Sequence, residues 1–301
     1  MNVEAKAAAV RADLAERDGV LIAFSGGVDS SVVAALAHDA LGDDAVACTA
    51  KSETLPTAEL DDANRVADEI GIAHEIAAFS ELDSEKFVAN DDDRCYHCRT
   101  MRLSAMFDAA RELGIETVCD GTNASDPGED HRPGLRAVEE LNAYSPLLEH
   151  GITKGEVRAI AREYGLSVAD KPAMACLSSR IPTGLAVTEE RLSRVERAET
   201  LLRTWRFEQF RVRDHDGLAR IEVAPAELER ALDSEFAQAA REYLADIGFE
   251  HVTLDLHGYR TGSVSPADDE VAETADGAES DGSGPASDDL GLGAEYPTAE
   301  D

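Results

Sequence analysis

The stretch Gly19-Val20-Leu21-Ile22-Ala23-Phe24-Ser25-Gly26-Gly27-Val28-Asp29-Ser30-Ser31 decides the fold. Its first half is a short apolar run of the kind that forms a buried strand, and the run stops at two glycines. From Ser31 to Leu41 the pattern reads as a helix. A strand that turns through glycines into a helix presents the free backbone amides of the helix N-terminus at the turn. Gly26 and Gly27 permit backbone conformations closed to other residues and let those amides approach a ligand closely. With the Ser25 and Ser30 hydroxyls they make an anion cradle. No Gly-Lys-Ser/Thr follows, so this is not the common loop that hands over a terminal phosphate. Asp29 instead puts a carboxylate beside the anion, where it can help hold Mg²⁺.

Outward from this loop, strand and helix patterns alternate. Ala45 to Thr49 reads as a second strand, Thr57 to Ile70 as a helix, and His74 to Ala77 as a third strand. A helix is expected after Cys98 through Leu113, then a fourth strand from Glu116 to Cys119. Repeated strand–helix units imply a parallel sheet covered by helices on both faces, with ligands at the carboxyl ends of the strands. The Gly-rich turn and the turns after Thr49 and Cys119 fall on that edge. Thr153 to Tyr164 is a helix whose Thr153 and Glu156 have capping-box spacing. From about Val187 the character changes: a helix over Glu189 to Arg203, strands near Gln209–Arg213 and Leu218–Val223, two short helices, and a strand at His251–Leu256. The fold class is therefore α/β. A parallel-sheet, Rossmann-like domain is expected over 1–184, a smaller α+β domain over 185–262, and an acidic tail over 263–301. The tail has no Lys or Arg and almost no large apolar side chains, so it cannot offset its ordering entropy and is expected to be disordered.

The chain carries 28 basic against 62 acidic residues, a formal net charge of −34. Such a surface repels nucleic-acid phosphates at ordinary salt. The spread of acid along the chain, with Arg far outnumbering Lys, resembles proteins of salt-loving archaea. At molar salt the Debye length is about 3 Å, so self-repulsion is screened. No run approaches the roughly 18 apolar residues that a membrane helix needs. The N-terminus lacks a charged-then-apolar signal pattern, and a cytoplasmic protein is expected.

Five cysteines, Cys48, Cys95, Cys98, Cys119 and Cys176, make an odd set, and a disulfide framework is not expected. Cys48 and Cys119 fall in strands, where a buried inert thiol is ordinary. Cys95 and Cys98 form a Cys-x-x-Cys pair without a second pair; a zinc site would need Cys176 and His97 or another ligand. Cys176 lies in a Ser-rich, Arg-flanked segment, where Lys171 and Arg180 are placed to favour its thiolate. In the C-terminal part, Arg211 and Arg213 alternate onto one strand face, with Glu222 on the next strand. This is either a charge pair on a solvated face or a phosphate or metal site. Glu199 lies on a helix, where exposed acids are usual.

The Ser25–Ser30 string resembles the signature of the ATP pyrophosphatase, or PP-loop, superfamily, whose members adenylate an oxygen of their substrate and release pyrophosphate. Three further stretches narrow the likeness: Arg94-Cys95-Tyr96-His97-Cys98-Arg99; Asp120-Gly121-Thr122-Asn123-Ala124-Ser125-Asp126 with His131 to Arg136; and Asp170-Lys171-Pro172 running to Cys176-Leu177-Ser178-Ser179-Arg180-Ile181-Pro182. With Ser145-Pro146-Leu147 and Thr153-Lys154 they resemble the LarE family of ATP-dependent sulfur transferases over roughly residues 10–260. The resemblance implies ATP and Mg²⁺ at Ser25, Gly26, Gly27, Asp29, Ser30, Gly121, Thr122 and Asn123. It implies catalysis by Cys176, Asp29, Lys171 and Arg180, and a small nucleotide substrate held by Arg211, Arg213 and Glu222. That substrate would be a pyridinium dicarboxylate mononucleotide, thiolated on the way to a nickel-pincer cofactor. In some family members the cysteine at position 176 gives up its own sulfur. Others hold a 4Fe-4S cluster on three cysteines, the pattern matched by Cys95, Cys98 and Cys176. A homo-oligomer with no nucleic-acid or membrane partner is expected. The alternatives are a tRNA-thiolating PP-loop enzyme, which should carry a basic surface, and a non-catalytic nucleotide-binding iron–sulfur protein.

Overall fold

The computed structural model describes residues 2–126, 133–172 and 175–260. The expected tail over 263–301 lies outside the described residues, as do His131, Arg132, Ala173 and Met174. The chain begins with α1 (Val3–Leu14), β1 (Val20–Ala23), α2 (Val28–Leu41) and β2 (Ala45–Lys51). It continues through α3 (Thr57–Ile70), β3 (Ala73–Ala78), α4 (Glu85–Ala89), α5 (Arg94–Glu112) and β4 (Thr117–Cys119). The helices α6 (Pro133–Glu140), α7 (Pro146–Glu149) and α8 (Lys154–Glu163) follow, and then a 3₁₀ turn over Leu177–Arg180. The last elements are α9 (Glu189–Thr204), β5 (Phe210–His215), β6 (Leu218–Val223), α10 (Leu228–Ala231), α11 (Ser234–Asp246) and β7 (His251–Leu254).

The first four strands form one parallel sheet in the order β3-β2-β1-β4. Parallel strands covered on both faces need apolar side chains on both faces, and Val20, Leu21 and Ile22 of β1 are all buried. α2 is buried from Val28 to Ala37 except at Asp29, because its Val and Ala residues are apolar all round. It packs between the sheet and the helices α1 and α8. The chain leaves β1 towards β2 and β3, then returns on the other side of β1 to form β4. That reversal opens a crevice between the carboxyl ends of β1 and β4, where ligands bind in sheets of this kind. The loops 24–27 and 120–126 meet there. The capping box of α8 is formed, with the Thr153 N–H donating to Glu156 Oε2 at 2.9 Å.

A second sheet has the order β5-β6-β7, with β5 and β6 antiparallel and β6 and β7 parallel. Asp216 and Gly217 join β5 to β6 with φ of 55° and 90°, the two left-handed residues of a type I′ hairpin. That turn sets the register, which places Arg211 opposite Glu222 and Arg213 opposite Arg220. One face packs on α9 and α11 through Leu202, Val212, Ile221, Phe236 and Leu244.

One expected boundary is wrong in a way that matters. The helix expected after Cys98 begins at Arg94, so Cys95 and Cys98 lie in its first turns rather than ahead of it. The backbone N–H groups of Tyr96 and His97 already donate to the Asp93 carbonyl, and the His97 ring bonds the Asp93 carboxylate. These polar contacts start the helix where no apolar periodicity marks it. Cys95, Cys98, Arg99 and Arg102 consequently share one helical face.

Candidate active site

The loop after β1 is held by its own side chains. Ser25 Oγ accepts from the Gly27 N–H at 3.3 Å, and Ser30 Oγ accepts from the Ser25 N–H at 3.2 Å. The Ser30 and Ser31 hydroxyls both donate to the Gly27 carbonyl, at 3.1 and 2.8 Å. Gly26 has φ +65°, and a Cβ there would lie 2.8 Å from the Ala63 Cα of α3. Gly26→Ala is therefore expected to destabilise the protein by about 1–3 kcal/mol through backbone strain alone. A urea midpoint equal to that of the wild type would contradict this. Gly121 brings the second loop against the first: a Cβ on it would lie 3.0 Å from the Ser30 backbone nitrogen.

Asp29 is the second residue of α2, at the positive end of the helix dipole. Its Oδ1 accepts from Asn123 Nδ2 at 3.2 Å, and its Oδ2 is ion-paired with Lys154 at the start of α8. Asp120 is fully buried at the end of β4 and organises the second loop. It accepts from the Thr122 hydroxyl at 2.7 Å, the Ser145 hydroxyl at 2.6 Å and Arg99 Nη2 at 2.5 Å. Both loops line one cleft of about 420 Å³. Its far wall is α5, which contributes Cys95, Arg99, Arg102, Leu103 and Met106. All the residues expected at an ATP site, from Ser25 to Asn123, thus gather at this edge. Ser, Gly and backbone amides on one side with Asp29 beside them fit a Mg²⁺-bound polyphosphate.

The cysteines divide into two kinds. Cys48 and Cys119 are buried in strands, and burial pushes their thiols up to about 11 and about 12. Cys98 is half-buried, and its thiol donates to Glu81 Oε1 at 2.9 Å. Burial raises the Cys98 pKa, Arg102 opposes the rise, and the charges of Glu81 and Cys176 add to it. Cys176 immediately precedes the 3₁₀ turn, with its Sγ 3.1 Å from Ser178 Oγ. Its segment is pinned beside α5 by the Leu177 N–H on the Thr54 carbonyl at 3.0 Å and by Arg94 on the Ser178 carbonyl at 3.0 Å. Leu177 and Cys98 pack in the same apolar cluster. Cys95 is exposed on the cleft wall. Among the described residues no three His, Cys, Asp or Glu side chains are grouped to hold a metal ion.

Lys171 and Arg180 do not sit as the sequence suggested. Lys171 is held by Glu59 at 3.0 Å and Asp62 at 2.7 Å on α3. Arg180 is fully buried and forms a two-pronged pair with Glu199, at 2.8 and 2.9 Å. Its Nη1 donates to the carbonyls of Ala175 at 2.6 Å and Cys176 at 3.0 Å, so it shapes the backbone of the cysteine segment. Glu199, read as an exposed helix acid, is buried as that partner. The strand face carrying Arg211, Arg213 and Glu222 is not solvated either, since these residues are 7%, 4% and 0% exposed. Arg213 forms a two-pronged pair with Glu222 at 2.6 and 2.9 Å, and donates to the Ser179 carbonyl at 3.0 Å. Arg211 donates to the Phe210 carbonyl at 2.7 Å and packs on the Tyr259 ring. Burial and the neighbouring Arg180 lower its pKa. Arg102 and Glu81 were not singled out from the sequence, and Arg99, Asp120 and Lys154 were quoted only within the family stretches, with no role given to them. The spacing of Cys95, Cys98, Arg99 and Arg102 would have found the two arginines, had the helix start been placed at Arg94.

The asparagine synthase family matches residues 4–108, the part that holds the phosphate loop and most of α5. An uncharacterized protein of Synechocystis is 43% identical over 87% of this chain and 98% of its own length. The pyridinium-3,5-bisthiocarboxylic acid mononucleotide synthase of Lactiplantibacillus plantarum is 37% identical over 86% of this chain and 94% of its own length. The chain belongs to the LarE family of PP-loop proteins. The tRNA-specific 2-thiouridylase of Rickettsia peacockii is 29% identical, but over only 51% of this chain and 52% of its own length. Membership makes this an ATP-using PP-loop protein of the sulfur-transferase type, with Mg²⁺ as the ATP counter-ion. Among the described residues of this LarE-family chain, no helix is long and apolar enough to cross a membrane.

Proposed function

We propose that this protein activates a carboxylate of a pyridinium dicarboxylate mononucleotide with ATP and replaces a carboxylate oxygen by sulfur. The observation that carries the reading is one cleft with the phosphate loop on one wall and Cys95 and Arg102 of α5 on the other, with Cys98 in contact with Arg102 behind that wall. In the first step a substrate carboxylate oxygen attacks the α-phosphorus of ATP. The new P–O bond replaces the bond to pyrophosphate, which leaves at the loop. In the second a sulfur anion attacks the carboxyl carbon and AMP departs with the oxygen; where that sulfur is the Cys176 thiolate, loss of the Cα proton and cleavage of its Cβ–S bond then release the thiocarboxylate and leave dehydroalanine. Bound Mg²⁺ neutralises phosphate charge, and Asp29 is the residue that would hold it. A small substrate also suits a chain of net charge −34 better than a nucleic acid does.

The three-cysteine cluster belongs to this reading only if Cys95 joins Cys98 and Cys176, a grouping the described residues do not form. The sulfur chemistry is therefore assigned to the Cys176 segment beside Cys98, and the iron content of anaerobically purified protein decides between the two. Iron in stoichiometric amount restores the cluster; iron-free protein with Cys176 converted to dehydroalanine after one turnover leaves the sacrificial route.

The direct test supplies MgATP and pyridinium-3,5-dicarboxylate mononucleotide. AMP and pyrophosphate should form in equal amounts, with a product mass shifted by oxygen-to-sulfur exchange. Pyrophosphate release without any sulfur product would remove the transferase reading. Arg211 and Arg213 are proposed to hold the substrate phosphate. Arg211 is the cleaner probe, because among the described residues no carboxylate lies within ion-pair distance of it. Arg211→Ala should raise KM for the mononucleotide by about 10- to 100-fold, the loss of one charge-assisted contact, and KM for ATP by less than about threefold. Arg213→Ala should do the same on a less stable protein. An equal rise in both constants would count against the assignment.

A further inference from the structure

The sulfur reaction needs a cation beside the sulfurs, and the two expected from the sequence are engaged elsewhere. Lys171 is held by Glu59 and Asp62, and Arg180 by Glu199 and two backbone carbonyls. Arg99, on the same α5 face, is ion-paired with Asp120, and although its Nε is likewise buried without a partner, its hydrogen bond goes to that carboxylate and not to a sulfur. Arg102 is placed differently. Its Nη2 lies 3.6 Å from Cys98 Sγ and 3.3 Å from Glu81 Oε1, and its side chain lines the same cleft as the phosphate loop. Its Nε is buried without a hydrogen-bond partner, so the guanidinium has donor capacity in reserve. Glu81 is fully buried and fixed by the Ser52 and Thr54 hydroxyls at 2.7 and 2.6 Å. Through Thr54 the same strut reaches the Cys176 segment, since the Thr54 carbonyl accepts from the Leu177 N–H.

The charge balance gives Arg102 its role. Glu81 is an acceptor for a neutral Cys98 thiol, but it repels any negative charge that develops on the neighbouring sulfurs. A guanidinium in contact with both Glu81 and Cys98 offsets that repulsion.

We propose that Arg102, aimed by the positioning residue Glu81, is the cation that stabilises the sulfur anion as it attacks the adenylated carboxylate. The proposal rests on the sulfur-transferase reading above. In that step a C–S bond forms at the carboxyl carbon, the C–O bond to AMP breaks, and AMP leaves with the electron pair. The negative charge starts on the sulfur of the Cys176 segment beside α5 and ends on AMP. Adenylation places its charge on pyrophosphate at the loop. Loss of Arg102 should therefore separate the two half-reactions.

The test uses Arg102→Met and Arg102→Lys in the full chain, with MgATP and pyridinium-3,5-dicarboxylate mononucleotide. Substrate-dependent ATP–pyrophosphate exchange reports adenylation, and single-turnover sulfur incorporation reports transfer. Arg102→Met should slow transfer about 100-fold more than exchange, as loss of a preorganised electrostatic contact does. Arg102→Lys should recover about a tenth of wild-type transfer, because the point charge remains while the fork is lost. Glu81→Gln, which keeps the side-chain shape, should slow transfer with exchange retained. Parallel loss of exchange and transfer in all three variants would make Arg102 a nucleotide or folding residue and overturn the proposal. Transfer at wild-type rate in Arg102→Met would overturn it as well. If the wild-type protein supports exchange but incorporates no sulfur, the underlying reading fails first, and the proposal falls with it.

Discussion

Replacing Asp29 by Ala is expected to lower pyrophosphate release about 100- to 1000-fold, the usual cost of removing one preorganised electrostatic contact from a transition state. The neighbours of this carboxylate hold it at the phosphate loop. It stands at the start of α2, where the loop amides converge, and it is steered by Lys154 from α8 and Asn123 from the loop after β4. Three separate segments therefore agree on the position of a side chain that is still 25% exposed. An exposed ion pair of this sort contributes about 0–1 kcal/mol to stability, and the dipole interaction about 0.3–1 kcal/mol. The melting temperature should thus fall by only a few degrees while the reaction is lost. Asp29→Asn makes the test sharper: it retains an oxygen for Lys154 and Asn123 but removes the charge that would meet Mg²⁺. If Asp29→Asn releases pyrophosphate at the wild-type rate, the carboxylate is a structural anchor for Lys154 and has no metal-side role.

The parallel sheet was legible because its signal is local. The run Val20 to Phe24 is apolar on both faces, Gly26 must take a positive φ, and the helix behind it is apolar all round; each fact sits within one short window. The chemistry of the loop came from the same window. The site residues contributed by other segments were harder to place. A charge in a sequence reads as solvent-facing by default, so Glu199 reads as an exposed acid and Arg211, Arg213 and Glu222 as either a solvated charge pair or a phosphate site; their burial follows from partners that only tertiary packing supplies. Nearness in sequence misled in the opposite direction. Lys171 is five residues from Cys176, yet its ammonium reaches α3, because Glu59 and Asp62 lie one turn apart on the face that it meets. The missed start of α5 had the largest effect. Its first turn is capped by polar contacts and carries no apolar stripe, so periodicity could not see it. With it went the alignment of Arg102 with Cys98.

Glu199→Ala is expected to destabilise the protein by about 3–5 kcal/mol, because it leaves the Arg180 guanidinium buried without its counter-charge. Arg180 is fully buried, and Glu199 also accepts from the Val212 N–H at 3.2 Å, so the pair joins α9, β5 and the cysteine segment. Breaking one side should cost more than removing both charges. In the double variant Arg180→Met with Glu199→Leu no uncompensated ion remains, and its loss of stability should be smaller than the sum of the two single losses. Activity should not follow stability. Arg180 Nη1 holds the Ala175 and Cys176 carbonyls, and a methionine cannot donate to either. The double variant should therefore fold at low temperature and still adenylate, yet transfer sulfur poorly, because the backbone that carries Cys176 has lost its clamp. Chemical denaturation of the wild type, Arg180→Met, Glu199→Leu and the double variant gives the coupling energy, and single-turnover assays on the same samples give the transfer rate. Additive stability losses would show that the two residues do not act as a pair. Normal sulfur transfer by the folded double variant would show that the Arg180 clamp does not position Cys176.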